Sequence, residues 1–368
     1  MRVLVVNAGS SSLKLRLLGD DDALTMKRDL PVVDGRADPE ALAGALAGLH
    51  PPDAIGHRIV HGGERYREAV RIDAGVLADL RALSELAPLH QPPALEAAAV
   101  VARALPGVPS VACFDTAFHA TLPTAAATYA LPRAWRERWP LRRYGFHGLS
   151  HAHAARRAGE LLGKPVEQLR LVSCHLGAGA SLCAIDRGRS VDTTMGFTPL
   201  EGLVMATRSG SVDPGLVLWL LEHERLPAGT VARALEHESG LLGLAGTADM
   251  REILKRVGEG DREAALALDV YVHRLRAGIA SMAVAMDGLD AVLFTGGVGE
   301  RAAALRAETA GGLTTLGVAL DPQRNADAVS DADISAGGAA VRSLVIRARE
   351  DLQIAREVRE VLAGGPQP

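Results

Sequence analysis

Short apolar runs alternate with longer amphipathic stretches along the chain, and each kind of stretch predicts a different element. Apolar runs bounded by Gly, Ser, Asn or Pro are typical of buried strands, whereas apolar residues three or four apart indicate helices. The predicted strands are Val3–Val6, Leu13–Leu18, Ile55–Val60, Val108–Phe114, Leu169–His175, Leu182–Asp186, Ala291–Phe294 and Val341–Arg347. The predicted helices cover residues 39–49, 74–86, 94–104, 150–162, 213–221, 229–237, 262–286 and 351–362. Because strands and helices alternate, we expect an α/β protein.

One strand–turn–strand plan occurs twice. Residues 3–18 and residues 169–186 each consist of an apolar strand, a turn rich in Gly, Ser and Ala, and a second apolar strand. Small turn residues allow backbone N–H groups to approach an anion. A further small-residue turn follows the strand that ends at Phe294. The repeat therefore predicts two related halves, each with one phosphate-binding turn.

Composition narrows the class of protein. The chain has 368 residues, of which 48% are hydrophobic, and a formal net charge of −4, so it lacks the basic excess of a nucleic-acid-binding protein. The three cysteines show no C-x-x-C spacing, which fits a reducing compartment. No apolar run is long enough for a membrane span, and the first apolar run is too short for a signal peptide. We expect a two-domain cytoplasmic protein that does not bind membranes.

Common catalytic motifs are missing from the sequence. There is no Walker A loop, no G-x-G-x-x-G fingerprint and no G-x-S-x-G elbow. His57 and His61, and likewise His147 and His151, have the i, i+4 spacing of zinc ligands on a helix. Residues 55–61, however, are predicted as strand and turn, where this spacing does not converge. A metallohydrolase is kept as an alternative to be tested by metal content.

Polar residues at strand ends, beside small residues, combine cationic donors, hydroxyls and carboxylates without an obvious nucleophile. Such a set is typical of phosphoryl transfer, in which catalysis consists of positioning and charge neutralisation. The candidates are Asn7, Ser10, Ser12, Lys14, Arg58, His90, Asp115, His147, His175, Arg208 and Glu350. Lys14 is notable because the chain contains very few lysines among its 40 basic residues.

Ordered motifs nearly from end to end resemble the acetate kinase family, within the superfamily of acetate and sugar kinases and actin. They include V-N-A-G-S-S-S-L-K-L at 6–15, G-H-R-I-V-H-G-G-E at 56–64, A-P-L-H-Q-P at 87–92, F-D-T-A-F-H at 114–119 and Y-G-F-H-G-L-S-H at 144–151. Further along the chain they include C-H-L-G-A-G-A-S at 174–181, D-T-T-M-G-F-T-P-L-E-G-L-V-M-A-T-R-S-G at 192–210, F-T-G-G-V-G-E at 294–300 and E-D-L-Q-I-A at 350–355. The resemblance implies the reaction ATP + acetate ⇌ ADP + acetyl phosphate. It implies Mg²⁺ as the metal, for which Mn²⁺ can substitute, and a homodimer. It also implies two actin-like (ribonuclease H-like) domains with the active site in the cleft between them. The expected domain I covers residues 1–119 plus 352–368, and the nucleotide-binding domain II covers residues 120–351.

The resemblance also assigns roles to individual residues. Catalytic roles fall on Asp115, His147 and Arg208, and a magnesium site on Asn7 and Glu350. Binding of the acyl substrate falls on Arg58, Val60, Leu89, His90, Phe146 and Pro199. Nucleotide binding falls on Ser10, Ser12, Lys14, His175, Leu176, Gly177, Ala178, Gly179, Asp249, Met250, Arg251, Gly297, Val298, Gly299, Glu300 and Arg301.

Physical chemistry qualifies some of these roles. Acetate is already ionised at neutral pH, so Asp115 has no proton to remove, and we expect it to orient Arg208 or a metal-bound water. Val60 narrows the acyl pocket and favours acetate over propionate. Ala178 and Arg301 stand where the family usually has Asn, which affects nucleotide preference more than reaction type. A propionate or short-chain acyl kinase and a nucleotide-binding regulator without catalysis are the alternatives.

Overall fold

Two sheets and their flanking helices make up the fold. The computed structural model describes residues 1–9, 12–33, 36–87, 91–329 and 331–364. Strands and helices alternate through these ranges, which confirms the α/β class. The chain divides into two compact units: unit 1 comprises residues 1–120, 147–153 and 349–368, and unit 2 comprises residues 121–146 and 154–348. Among the described residues, no helix is long and apolar enough to cross a membrane.

Unit 1 contains a mixed sheet. Its strands are β1 (Val3–Ala8), β2 (Ser12–Leu18), β3 (Leu24–Val33), β4 (Arg36–Ala37), β5 (Ala54–Ile59), β6 (Val70–Arg71) and β7 (Ser110–Phe114). They lie in the order β4-β3-β2-β1-β5-β7-β6. Strand β1 is antiparallel to β2 and parallel to β5, which is in turn parallel to β7. Because β1, β5 and β7 run the same way, their carboxyl ends lie at one edge of the sheet.

Unit 2 contains a second mixed sheet. Its strands are β8 (Arg170–Leu176), β9 (Ala180–Asp186), β10 (Arg189–Thr193), β11 (Ala291–Thr295), β12 (Ala332–Asp333) and β13 (Arg342–Val345). They lie in the order β10-β9-β8-β11-β13-β12. Strand β8 is antiparallel to β9 and parallel to β11, and β11 is parallel to β13.

The helices in the described part of the chain connect and cover these strands. They are α1 (Pro39–Leu46), α2 (Ala74–Ala82), α3 (Gln91–Ala104), α4 (Thr124–Ala127), α5 (Arg133–Arg138), α6 (Gly148–Leu162), α7 (Pro214–Glu222), α8 (Ala228–His237), α9 (Gly240–Ala245), α10 (Met250–Gly258), α11 (Arg262–Ala285), α12 (Gly296–Arg301), α13 (Ala303–Gly311), α14 (Pro322–Asp327) and α15 (Glu350–Leu362). Short 3-10 turns lie at Leu83–Leu86, Ala117–Thr121, Val166–Gln168 and Thr314–Leu316.

The core of unit 1 follows from the two-residue period of its strands. On β1, Leu4 and Val6 are buried in the cluster that includes α1 and α3. The intervening Val3 and Val5 are buried in a different cluster with the apolar side of α15. Gly56 in β5 allows a close approach of α15, because a Cβ there would collide with the side chains of that helix. The first residue of α15 is thereby fixed near the carboxyl ends of the strands.

The predicted repeat is present as two antiparallel hairpins, β1–β2 in unit 1 and β8–β9 in unit 2. In the first, Asn7 lies opposite Lys14, and in the second His175 lies opposite Ser181. The small-residue segment after Phe294 is different, since it ends β11 and begins α12. Strand β1 carries Asn7 and strand β8 carries His175, each close to the carboxyl end of its strand.

Candidate active site

Four candidate side chains of unit 1 form one hydrogen-bonded cluster, which we call the unit 1 cluster: Asn7, Arg58, Asp115 and Glu350. Asn7 lies near the end of β1, Arg58 near the end of β5, and Asp115 directly after β7. Parallel strands bring these positions to the same edge of the sheet, where open α/β folds bind ligands. Glu350 reaches the cluster from the first turn of α15.

The centre of the cluster is an ion pair. Arg58 Nε donates to Asp115 Oδ1 at 3.1 Å, and Arg58 Nη2 is paired with Asp115 Oδ2. Burial raises the pKa of Asp115 to about 6, against the opposing effect of Arg58. Burial disfavours the Arg58 cation, but the carboxylates of Asp115 and Glu350 outweigh it and raise its pKa. A permanently charged guanidinium is therefore held rigidly at the sheet edge.

Asn7 and Glu350 complete the cluster. Asn7 Nδ2 donates to Glu350 Oε2 at 2.7 Å, and Arg58 Nη1 approaches Asn7 Oδ1 at 3.4 Å. Both side chains offer oxygen atoms, which are the ligands that Mg²⁺ prefers, and Mg²⁺ usually needs only one or two protein ligands beside water and phosphate. The residues present fit such an ion. Among the described residues, no group of three or more His, Cys, Asp and Glu side chains could hold a metal.

His147 has an unusual backbone. Its φ is 58°, in the left-handed region that few non-glycine residues adopt. It precedes α6, and its carbonyl accepts a hydrogen bond from the N–H of His151 at 3.0 Å. The next residue, Gly148, donates its N–H to the carbonyl of Asp115 at 2.8 Å, and a Cβ on Gly148 would collide with that carbonyl. The strained histidine is thus tied by the chain to the Asp115 segment, as strain at functional sites often is.

Arg208 lies in unit 2 on an irregular segment. Its guanidinium Nη1 lies 3.4 Å from the carbonyl of Pro199 and 3.9 Å from Met205 Sδ. Burial lowers the pKa of Arg208, and Glu236 partly opposes this effect. Because the pKa of an arginine side chain is ordinarily very high, Arg208 keeps its charge. A second, partly buried guanidinium therefore lies in unit 2.

The candidate nucleotide segments of unit 2 are a hairpin turn and a short helix. The turn after β8 is closed by the N–H of Gly177, which donates to the carbonyl of Gly179 at 2.9 Å. The other segment is α12, and Gly296 at its start has a φ of 80° that favours glycine. The Arg301 guanidinium folds back, with Nε 3.1 Å from the carbonyl of Gly297.

Sequence reasoning missed the residue that holds α12 in place. Arg306 is fully buried, and its guanidinium donates to the carbonyls of Gly299 and Glu300 at 2.9 and 2.8 Å. It also donates to the side-chain and backbone oxygens of Asn325 at 2.8 and 2.7 Å. No local signal marks this arginine, because its partners are carbonyls and an asparagine in a different helix.

The residues expected at the adenosine are engaged with each other. Asp249 caps α10, accepting from the N–H of Arg251 at 2.9 Å, and its carboxylate is paired with the Arg251 guanidinium. This pairing lowers the pKa of Asp249 to about 2. Met250 is buried at the start of the helix. Their part in nucleotide binding stays a prediction.

The remaining candidates are spread over both units. Val60 and Phe146 are buried, in unit 1 and unit 2 respectively, and Pro199 is partly exposed. Lys14 is exposed on β2, and Ser12 begins that strand. Ser10, Leu89 and His90 lie outside the described residues.

The first histidine pair with the spacing of zinc ligands, His57 and His61, lies on a strand and the segment after it. His57 lies within β5, and its neighbour in the motif, His61, follows that strand, so the two are not on a helix. Burial lowers the pKa of both to about 4, and they are neutral at physiological pH. The N–H of Gly63 donates to His61 Nδ1 at 2.9 Å, which stabilises the turn.

Comparison with known proteins agrees with this picture. The profile of the Acetokinase family matches residues 44–356. The acetate kinase of Heliobacterium modesticaldum is 42% identical over 398 residues, covering 99% of this chain and 100% of that protein. The acetate kinase of Gloeobacter violaceus is 45% identical over 399 residues, covering 97% of this chain and 98% of that protein.

Solved structures share the whole fold. The acetate kinase of Porphyromonas gingivalis and a propionate kinase of Francisella tularensis each give a TM-score of 0.90 at 34% identity, covering 98% of this chain and 99% of theirs. These matches confirm the resemblance seen in the motifs and the actin-like fold expected with it. The chain belongs to the acetokinase family.

Proposed function

We propose that the Arg58–Asp115 ion pair is the central element of the site at which this chain phosphorylates acetate. The reaction is that of the family: reversible transfer of the γ-phosphoryl group of ATP to a carboxyl group, giving acetyl phosphate and ADP (EC 2.7.2.1). The observation that supports this assignment is a guanidinium that is only 13% exposed, fixed by two contacts with a carboxylate, at the edge where three parallel strands end. A guanidinium fork matches the geometry of carboxylate and phosphate groups.

The chemistry needs charge neutralisation more than proton transfer. Acetate enters ionised, so Asp115 serves to hold Arg58 in one orientation, with no proton to abstract. Arg58 and Arg208 then balance the charge of the acyl carboxylate and of the equatorial phosphoryl oxygens. His147 supplies a donor for the same oxygens from its fixed position beside Gly148. The sequence alone predicts that Asp115 orients Arg208 or a metal-bound water, whereas in the structure Asp115 pairs with Arg58.

We assign the metal to Asn7 and Glu350, whose oxygen atoms lie together in the unit 1 cluster. Bound there, Mg²⁺ would neutralise phosphate charge that the two arginines leave uncompensated. In its presence the Asn7–Glu350 hydrogen bond would be replaced by contacts to the ion. Arg58, which lies 3.9 Å from Glu350, would then keep its contacts with Asp115 and with the carbonyl of Ala8, to which its Nη1 donates at 3.3 Å.

For the nucleotide, we propose the hairpin turn at 175–179 and helix α12 as the phosphate-binding segments. Both offer backbone N–H groups without large side chains. Residues 249–251 are proposed for the adenosine. Because Ala178 and Arg301 replace the usual asparagines, backbone contacts have the larger part in nucleotide binding. The first assay should therefore compare several nucleoside triphosphates as phosphoryl donors.

Propionate is the alternative acyl substrate, because a propionate kinase shares the fold as fully as an acetate kinase does. Val60 and Phe146 are large apolar side chains in the residue set proposed for the acyl group. An apolar pocket discriminates by about 1–3 kcal/mol per methylene group. We expect kcat/KM to be highest for acetate, and a preference for propionate above about tenfold would replace acetate by propionate as the main substrate.

We further propose a cytoplasmic homodimer with two domains. The three cysteines are buried and form no disulfide bond with one another, which supports a reducing compartment. The two compact units support the division into domain I (1–119 plus 352–368) and domain II (120–351). Helix α7 supports the dimer, since it is apolar yet none of its residues is buried.

The test is a hydroxamate assay for acetyl phosphate with ATP, Mg²⁺ and acetate. Product formation is expected, and it should require both the metal and the nucleotide. Absence of product with correctly folded protein would favour a nucleotide-binding regulator. Stoichiometric zinc in the purified protein, together with no product, would favour the metallohydrolase.

A further inference from the structure

Unit 1 contains a cavity whose wall includes none of the proposed catalytic residues, although Phe114 and Gly148 in the wall are chain neighbours of Asp115 and His147. Its volume is about 370 Å³, within the range of small-molecule sites. Helix α15, the segment before β6, the 3-10 turn after β7 and the first turn of α6 form its walls. The lining residues are Arg67, Glu68, Ala69, Val70, Phe114, Ala117, Phe118, Gly148, Leu149, Ala152, Gln353, Glu357, Glu360 and Val361.

Most of the wall is apolar, and the polar groups are on α15 and the 67–68 segment. Phe114, Phe118, Leu149 and Val361 provide ring and aliphatic surface. A cavity of this kind, apolar with a few polar groups, is the usual form of a small-molecule site.

Glu357 is the polar group that sets the chemistry. Its Oε1 accepts from Gln353 Nε2 at 3.0 Å. Its Oε2 is inaccessible to solvent and has no hydrogen-bond partner within the described part of the chain. In that same part it forms no ion pair with a lysine or arginine, and Arg67 in the wall donates its Nε to the carbonyl of Glu64. A buried carboxylate without a cation is costly, so a ligand that brings a cation relieves part of that cost.

The groups around Glu357 agree with this electrostatic deficit. Burial raises its pKa to about 7, the hydrogen bond from Gln353 and the nearby Cys113 side chain oppose the rise, and the charges of Glu360 and Asp115 add to it. Glu68 and Arg67 are the other charged groups in the wall. Glu360 is paired with Arg356 at 2.7 Å, but Glu357 has no such partner among the described residues, and this balance favours a positive ligand.

We propose that this cavity binds a small organic ammonium ion, with its apolar part against Phe114, Phe118 and Leu149 and its ammonium group on Glu357. An anionic ligand would meet Glu357, Glu360 and Glu68 and be repelled. A neutral ligand would leave Glu357 unpaired. The proposed ammonium site uses none of the residues assigned to the acetate kinase reaction, so this proposal does not rest on those assignments.

Titration calorimetry with phenethylammonium chloride tests the proposal, in the presence of saturating Mg²⁺, ADP and acetate so that the proposed catalytic site is filled. At pH 8 we expect one molecule bound per chain in the millimolar range. Glu357→Gln should weaken binding at least about tenfold, and so should lowering the pH to 6, because protonation removes the charge of Glu357. The matched control Glu360→Gln changes an exposed carboxylate at the same cavity and should weaken binding less than about threefold.

Two further measurements distinguish specific binding from a folding defect or from nonspecific binding. Val361→Trp fills the cavity without changing charge and should abolish binding, while thermal unfolding shows whether each variant is folded. The neutral analogue 2-phenylethanol should bind wild type and Glu357→Gln alike. The proposal is overturned if the ammonium ion does not bind, if it binds folded Glu357→Gln as tightly as wild type, or if Val361→Trp leaves its affinity unchanged.

Discussion

Asp115 combines burial with a charged partner, and the balance between the two makes the reaction sensitive to mild acid. Burial raises its pKa from 3.8 to about 6, in spite of Arg58. The carboxyl group therefore takes up its proton as pH falls through about 6, and Arg58 then loses the anion that orients it. We expect kcat, measured at saturating substrates between about pH 5 and 8, to fall on the acid side with a midpoint near 6.

Variants separate this effect from other titrations. Asp115→Asn should lower kcat by a factor of at least about 10² and abolish the acid limb, because no proton is left to bind. Glu357→Gln, which removes another carboxyl with a raised pKa in the same unit, should keep the limb. A midpoint near 4, or a limb that persists in Asp115→Asn, would mean that Asp115 does not control the rate in this way.

Arg208 is the second guanidinium assigned to the transferring phosphoryl group. Because it neutralises charge that develops in the transition state, Arg208→Ala should lower kcat by a factor of at least about 10², with the fold retained by circular dichroism. Arg233→Ala, which removes an exposed arginine paired with Glu238 in the same unit, should leave kcat within about twofold. A fully active Arg208→Ala would remove this residue from the transition state.

At the scale of elements, the placement of α12 depends on one buried side chain. Arg306 binds two carbonyls of that helix and two oxygens of Asn325 on α14. Arg306→Met leaves these acceptors unpaired, at a cost of about 1–3 kcal/mol for each buried group. We expect KM for ATP to rise about tenfold or more while KM for acetate changes less than about twofold.

Three variants test whether Arg306 acts through α12. Asn325→Ala should reproduce the rise in KM for ATP in smaller degree, because it removes one acceptor and the Nδ2 contact to Ala303. Arg306→Lys should not restore ATP affinity, since one ammonium group cannot reach all four oxygens. Arg324→Ala on the exposed side of α14 is the control and should behave as wild type. Equal increases in both KM values would indicate a general loss of structure.

Elements with a clear apolar pattern could be predicted, and those without it could not. Strands β1 and β8 were indicated by their valine and leucine runs and by the small-residue turns after them. Strand β3 was missed, because most of its residues are exposed and it carries Lys27, Arg28, Asp29 and Pro31. It forms by backbone pairing with β2, a tertiary effect that side-chain periodicity does not record.

The site shows the same division. The motifs marked Asn7, Arg58, Asp115 and Glu350 individually, but only the strand order places them in one cluster. The partner of Asp115 was not predicted, because nothing in the sequence relates residues 58 and 115. The parallel pairing of β5 with β7 brings them together in the fold. Arg306 was missed because most of its acceptors are backbone carbonyls. Every residue has a carbonyl, so the sequence does not show which ones an arginine contacts.

On the scale of the whole molecule, α7 leaves apolar side chains in water that a stable monomer would cover. Leu216, Leu218 and Trp219 are 48%, 53% and 48% exposed, and Val212 lies just before the helix. Exposed apolar patches of this kind are typical of interfaces between protein chains. Because the reaction involves only small molecules, the occupant that we propose is a second copy of this chain.

If α7 forms the homodimer interface, a charge at its centre should separate the subunits. Leu218→Glu would bury an unpaired carboxylate in the interface, at a cost of several kcal/mol, and light scattering after gel filtration should then show a monomer of about 38.5 kDa. Leu266→Glu is the matched control, since Leu266 is 55% exposed but lies on α11 outside this patch, and it should stay dimeric. In a symmetric dimer the substituted helix would occur on both sides of the interface, so the effect of one substitution is doubled. A dimeric Leu218→Glu would place the interface elsewhere, and a monomeric wild type at micromolar concentration would exclude the dimer.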